Sequence, residues 1–515
     1  MDKGHIDGAT RSGSAFSQWS KSGHSARTVM LMMAVFVAML TGCTGDWADL
    51  SESQNGGGEG ALAAHQIPDD SPGQTAIYPM ITVLPTYPAQ LYESQQKDEV
   101  YNWPYLRFDQ EAYLLDDPQP TTRAYRMIVF ENEFLRLFLL PELGGRIWQV
   151  IHKPSGNVVF YQNPVVKPSP WGPATQKGWT GLGGLEWNLP VIEHGYDWGT
   201  PWDVRTFHDE DGTAVAQIST PEDGRFLSAI IEVRLPPDAA YFELEPHLLN
   251  NSDGPLDFDY WHNAMLAPGH SNHPSPELRF VLPGEAVRIH STGDPRLPAP
   301  NSVISWPEYR ARDLSKLGEW DQYLGLFEYP AAHGPFAGVY EPAADTGIVR
   351  VFPASVARGS KIFGLGWGDA LTSEYYTDDD SAYVELHGGI APTFSDHAHL
   401  DAGESVTWKE QWYPVQGIGQ FSTASTAGAL SWYIADDTLT VHFYPVEALT
   451  GKLVLRSLNG KVIARQDVEA RASVPIPLTF DLGMMNEDDG LPSGMTISLL
   501  DANGSEVLSG IIDLS

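Results

Sequence analysis

From Ala76 onward the chain is built of short apolar runs that alternate with polar residues and end at glycine, proline or acidic turns. This period of two limits the fold more than any other feature. In an extended strand, successive side chains point to opposite faces, so alternation over roughly four to eight residues marks a half-buried strand. The clearest case is Tyr125-Arg126-Met127-Ile128-Val129-Phe130, then a polar break at Glu131-Asn132-Glu133, then Phe134-Leu135-Arg136-Leu137-Phe138-Leu139. Two such runs around a polar break predict a hairpin. Further strands are expected over Phe226 to Leu235, Tyr241 to Leu248, Tyr323 to Phe327 and Ala382 to Leu386. No stretch carries the spacing of a long amphipathic helix, and 49 glycines and 39 prolines supply turns. An all-β chain is therefore expected. Residues 76–417 far exceed the roughly 100 residues of one immunoglobulin-like sandwich, so one large sandwich is the expectation there. A small polar stretch, FSTASTAGAL, follows Gln420. Residues 418–430 are read as a linker and 431–515 as a small immunoglobulin-like β-sandwich, with packing or carbohydrate attachment as its roles.

The N-terminal residues have a different logic. Lys3, Arg11, Lys21 and Arg27 precede an apolar run from Val29 to Leu40, which is short for a bilayer span. It ends in Leu40-Thr41-Gly42-Cys43, and Cys43 is the single cysteine of the chain, which excludes an intrachain disulfide. The pattern resembles a bacterial lipoprotein signal, in which the peptide is cut before a cysteine that carries diacylglycerol. On that resemblance residues 1–42 are a signal peptide, Cys43 is the lipidation site, and the protein is anchored on the extracytoplasmic side of a bacterial membrane. A plain secretory signal with an incidental cysteine is the alternative. Residues 43–75 carry Gly56-Gly57-Gly58 among Ser, Glu, Asp and Ala, the composition of a flexible tether.

A formal net charge of −35 over 515 residues argues against nucleic acid as a partner, because phosphate neutralisation needs clustered Lys and Arg. No phosphate loop, nucleophile elbow or zinc-finger spacing is present. No cofactor and no metal are expected. The pairs His270/His273 and His397/His399 and the run Asp378-Asp379-Asp380 read as surface turns.

Chemistry concentrates in Gly181 to Asp203, GLGGLEWNLPVIEHGYDWGTPWD. Gly183 and Gly184 allow backbone angles or approaches that side chains forbid. Glu186 and His194 offer hydrogen bonds or proton transfer, and Trp187, Trp198 and Trp202 offer flat apolar faces suited to a sugar ring. The stretch reads as one wall of a polar pocket, or as a long loop pinned by its tryptophans.

Three motifs carry a family resemblance. They are Leu139-Leu140-Pro141-Glu142-Leu143-Gly144-Gly145-Arg146-Ile147, then Gly183-Gly184-Leu185-Glu186-Trp187-Asn188, then Ala382-Tyr383-Val384-Glu385-Leu386-His387-Gly388-Gly389-Ile390-Ala391-Pro392 followed by Trp408-Lys409-Glu410-Gln411-Trp412-Tyr413-Pro414. Their order resembles galactose mutarotase-like proteins, in particular an uncharacterised bacterial branch also found joined to tetratricopeptide repeats. The resemblance covers roughly residues 100–417 and implies a β-supersandwich whose concave sheet face holds a sugar. It implies a late-strand glutamate as base, here Glu385, and histidines as acid or sugar ligands, here His262 and His194. Alternation puts Tyr383, Glu385 and His387 on one strand face. Arg146 and the three tryptophans complete the expected substrate contacts. For glycoside hydrolysis, Glu186 and Glu385 are the natural carboxylate pair. Three readings stand: a membrane-anchored carbohydrate-active protein that epimerises or cleaves a saccharide end, a non-catalytic surface glycan-binding lipoprotein, and a structural or assembly factor whose supersandwich binds another protein.

Overall fold

The alternating runs resolve into two large antiparallel sheets laid face to face. A computed structural model describes residues 73–482 and 494–513. The expected signal segment 1–42, Cys43 and nearly all of the tether lie outside the described residues. The first sheet has twelve strands. Its order is Ala76–Thr86, Thr121–Glu131, Leu135–Leu140, Arg146–His152, Asn157–Phe160, Trp261–Gly269, Val384–Gly389, Gly359–Gly364, Leu324–Glu328, Ala286–Thr292 and Val303–Ser305, with Gly184–Asn188 paired beside Trp261–Gly269 and Arg146–His152. The predicted hairpin is present, with Ile128 opposite Leu139 and Phe130 opposite Leu137. The second sheet has nine strands and centres on Thr346–Val351, Glu410–Gln416, Phe242–Asn250 and Leu227–Leu235. Among the described residues, α-helix is confined to Gln110–Asp116, capped by the Asp109 carboxylate, which accepts from Ala112 N at 3.1 Å.

Alternation decides what each strand buries. Leu185 and Trp187, Ala264, and Val384 and Leu386 point from the twelve-stranded sheet into the core, where they meet Leu244, Ile348 and Trp412 of the nine-stranded sheet. Each buried aliphatic side chain of this size contributes about 1.5–3 kcal/mol.

One polar cluster sits inside this apolar layer. Glu410 is buried and accepts five hydrogen bonds. Arg350 supplies two, Nε to Oε2 and Nη2 to Oε1, each 2.7 Å. Trp408 Nε1 reaches Oε1 at 2.8 Å and Trp412 Nε1 reaches Oε2 at 3.3 Å. The fifth comes from the opposite sheet, His262 Nε2 to Oε2 at 3.0 Å. Burial opposes charge on Glu410, yet Arg350 and His262 hold its carboxyl well below the usual carboxylate range.

The final residues form two four-stranded sheets with their own core, including Leu439, Phe443, Leu453 and Ile497. The stretch 418–430, expected as a linker, contains the strand Thr423–Ser425 and the start of Gly428–Ala435. These residues are held by packing. Val349, Tyr413 and Val415 on the outer face of the nine-stranded sheet meet Phe421, Ala429, Tyr444 and Val446. Ser473 Oγ bonds His152 Nε2, at the end of the twelve-stranded sheet's Arg146–His152, and also, at 2.8 Å, Tyr444 OH of its own sandwich. This sandwich therefore caps the back of the larger one.

Removing one partner of a buried ion pair costs about 3–5 kcal/mol, because the other charge is left uncompensated. Glu410→Ala is expected to lose stability on that scale in urea unfolding. A loss below about 1 kcal/mol would mean that Glu410 does not clamp the sheets.

Candidate functional site

The face of the twelve-stranded sheet turned away from the core carries the polar groups. Register across four strands defines it. Glu385 lies opposite Met265 and Phe363, His387 opposite Asn263 and Lys361, and Gly389 opposite Trp261 and Gly359. On the far side of the Trp261 strand, Asn263 faces Glu186 and Trp261 faces Asn188. Cross-strand partners share a face. Glu186, Asn263, His387 and Lys361 thus form one row, Glu385 and Phe363 the next, and Asn188 and Trp261 the row on the other side. A Cβ at Gly389 or Gly359 would run into the Trp261 indole, so these two glycines let the ring lie against the sheet.

Glu186 is fixed from both sides. Its Oε1 accepts from His194 Nδ1, and its Oε2 from Arg146 Nη2 at 3.0 Å. Arg146 spends its remaining donors on the carbonyls of Leu143, Gly183 and Trp198, at 2.8–2.9 Å. The turn that brings the Gly183 carbonyl to it needs glycine. Gly183 and Gly184 have φ of +93° and +75°, and a Cβ at either would meet the backbone of Tyr161 or Ile147. The loop after Asn188 then returns His194 over Glu186, secured by Gln176 Nε2 to Ile192 O at 2.9 Å.

His194 Nδ1 donates to Glu186, and its Nε2 has no hydrogen-bond partner among the described residues. Burial alone would pull its pKa down. The Glu186 charge and hydrogen bond, with Glu385 and Glu193, raise it above 6.5. The shift favours the protonated ring, whose Nε2–H is bonded to no described residue. Trp179 lies 5.2 Å from it, ring to ring.

Glu385 accepts from His387 Nε2 at 2.8 Å. A carboxylate accepts only, so this contact puts the His387 proton on Nε2 and leaves Nδ1 bare. Lys361 Nζ, 3.4 Å from the same nitrogen, acts as a nearby charge. Burial and Lys361 push His387 down to about 4, so it is neutral at pH 7. Burial opposes charge on Glu385, but the His387 hydrogen bond and the cations Lys361 and His194 lower it to about 2. Glu193 Oε1 pairs with His290 Nε2 at 3.3 Å at the more exposed margin of the face. Phe394 packs on Trp261, His290 and His387, with ring centroids 4.8–6.0 Å apart, and lies 4.6 Å from Lys361 Nζ.

Several atoms on this face have no hydrogen-bond partner among the described residues. They are both amide atoms of Asn188, both amide atoms of Asn263, Nδ1 of His387 and Nε1 of Trp261. All four side chains are nearly or fully buried. A buried polar atom left unbonded costs about 1–3 kcal/mol, and here six of them, on four side chains, lie in adjoining rows.

The sequence expectations divide cleanly against this geometry. The structure brings Glu385, His387, Tyr383, Glu186 and His194 together. Four other expectations are corrected. His262 points into the core at Glu410, because it is one residue out of phase with Asn263; the polar group beside Glu385 is Asn263. Trp187 is likewise out of phase with Glu186 and lies in the core, as does Trp202, while Trp198 is buried with its Nε1 on Gln176 O at 2.8 Å. The aromatic rings on this face are instead Trp179, Trp261 and Phe394. Arg146 is fully enclosed with its bonds on protein atoms, so it positions Glu186 and does not face a substrate. Both Glu186 oxygens are occupied, which removes it as the second carboxylate of a hydrolytic pair. Lys361 and Asn188 escaped the sequence reading. Asn188 had a signal, since it shares the alternation of Glu186; Lys361 had none before register was known.

These features define an all-β supersandwich with an acid–base cluster on one sheet face. Residues 97–415 match the family described as Domain of unknown function (DUF5107), and the chain belongs to that family. Among solved structures, a TPR-domain containing protein from Parabacteroides distasonis is similar at 20% identity and a TM-score of 0.55. The match covers 67% of this chain and 56% of that one. A galactose mutarotase-like protein from Clostridium acetobutylicum matches at 12% identity and a TM-score of 0.41, over 57% of this chain and 96% of that one.

A raised histidine pKa has a signed consequence. The Glu186–His194 pair stabilises the fold fully below about 6.5, and that contribution is lost as pH rises through the raised folded-state value. In an NMR titration His194 should give a pKa above 6.5, and Glu186→Gln should bring it down. An unchanged His194 pKa in that variant would refute the pairing.

Proposed function

We propose that this protein binds a saccharide end on the polar face of its twelve-stranded sheet and exchanges its anomers by acid–base chemistry. The observation that carries the reading is the group of unbonded Asn188, Asn263, His387 and Trp261 atoms set beside Glu385 and His194. Hydroxyl groups both donate and accept, so a polyol satisfies amide N–H, amide C=O and a bare imidazole nitrogen together. Trp261, Trp179 and Phe394 supply the apolar surfaces that the C–H faces of a sugar need.

In the reaction, Glu385 takes the proton of the anomeric hydroxyl while the Nε2–H of His194 passes to the ring oxygen. The bond between the anomeric carbon and the ring oxygen breaks, giving the open-chain aldehyde. Reclosure on either face returns both protons. Asn263, Asn188 and the His387–Lys361 pair orient the remaining hydroxyls. Glu186 and Arg146 act through His194 as positioning residues.

One observation favours a second reading, that of a glycan-binding protein without turnover. A carboxylate held at about 2 is a weak base at neutral pH and a good hydrogen-bond acceptor. In both readings Cys43 carries a lipid that anchors the protein on the outer side of a bacterial membrane, supported by the apolar run and the single cysteine of the sequence. The lipid is checked by mass spectrometry of the N-terminal peptide and its loss in Cys43→Ser.

The full chain in detergent is to be tested with galactose, glucose and mannose, following binding by calorimetry and anomer exchange by NMR. Exchange that disappears in Glu385→Gln while binding is kept is the expected result. Binding without exchange in either protein would establish the second reading, and no binding to any saccharide would overturn both.

A further inference from the structure

Beyond Glu385 the same sheet face continues into a separate cavity of about 220 Å³. Along its strand, Glu385 is preceded two residues earlier by Tyr383, about 6.6 Å away in extended chain. The neighbouring strand continues in the same phase from Phe363 to Leu365. Tyr383 and Leu365 both line the cavity. Tyr383 is thus a shared wall: its ring faces the cavity, and the charges of Glu385 and Glu186 help raise its pKa well above the usual value, after burial. Its hydroxyl has no hydrogen-bond partner among the described residues.

The lining of the cavity is of the same chemical kind as the site. Trp367 is 39% exposed, a large indole left open to solvent. It meets His273 edge-on at 6.1 Å. His273 Nδ1 donates to Pro274 O at 2.8 Å, and its other nitrogen bonds no described residue. Ser373 and Asp380 add a hydroxyl and a carboxylate, 3.4 Å apart. The volume is below the roughly 300–1,000 Å³ of pockets for drug-sized ligands and suits a single ring.

We propose that this cavity is a second sugar subsite, so that the protein takes an oligosaccharide whose end residue lies at Glu385 and whose next residue stacks on Trp367. The inference rests on the saccharide reading above and deepens it by naming the substrate class. Apolar floor, one aromatic plate and a few neutral or singly charged polar groups fit an uncharged hydroxylated ring. A phosphorylated or sulfated ring would face Asp380 with no cation among the lining residues.

The test uses the full chain in detergent with galactose, glucose and mannose and their oligomers up to the tetrasaccharide. The wild type is expected to bind one oligomer at least about tenfold more tightly than its monomer. Trp367→Ala should remove that excess and leave monomer affinity unchanged. Ala370→Trp, at an exposed lining position, should do the same by filling the cavity, which separates loss of the subsite from misfolding. Equal affinity for monomer and oligomers, or equal weakening of both in the variants, would overturn the subsite while the saccharide site stands. Binding of no saccharide of either length would overturn the site itself, and the subsite with it.

Discussion

The buried carboxylate of Glu410 is the interaction on which the arrangement of the sheets depends. It takes five hydrogen bonds, four from its own sheet and one from His262 on the other. An ion in an apolar layer is tolerated only when its lone pairs are satisfied in good geometry. That requirement fixes the distance and register between the sheets far more sharply than apolar packing, which is non-directional. His262 is therefore neutral and committed to structure; burial lowers its pKa in spite of the adjacent carboxylate.

Once His262 points inward, alternation sends its neighbours Trp261 and Asn263 outward. The candidate site is the other face of the same clamp. Arg146, Glu186 and His194 then repeat the device at smaller scale: a buried arginine fixes a carboxylate, and the carboxylate fixes a histidine. Three carboxylates surround the histidine and raise its pKa, and one of its nitrogens stays free. Glu385 and His387 have the opposite balance. There Lys361 supplies the positive charge, so the carboxylate is anionic and the imidazole neutral. Acid and base are thereby separated by environment, with residue types that would titrate closer together in water.

The small C-terminal sandwich takes no part in this face. Its strands cover Val349, Tyr413 and Val415 on the outer side of the nine-stranded sheet, and without them an apolar patch would meet water. It packs against that sheet through Phe421, Ala429, Tyr444 and Val446.

The sequence by itself determined the β class, the Tyr125–Leu140 hairpin, the family motifs and the shared face of Tyr383, Glu385 and His387. The β class, the hairpin and the shared face follow from local periodicity, which a period of two makes readable; the motifs were legible only as a resemblance. Gly183 and Gly184 were also readable as a special turn, though not the Arg146 contact it serves. Tertiary structure decided which face of each strand became core. A shift of one residue exchanges the two faces, and His262 and Asn263, or Glu186 and Trp187, differ by one residue. Lys361 entered the site only through its register with His387 on the next strand along the chain. Hydrogen-bonded register between remote strands is not encoded in the alternation of either one, so the composition of the site had to wait for the sheet.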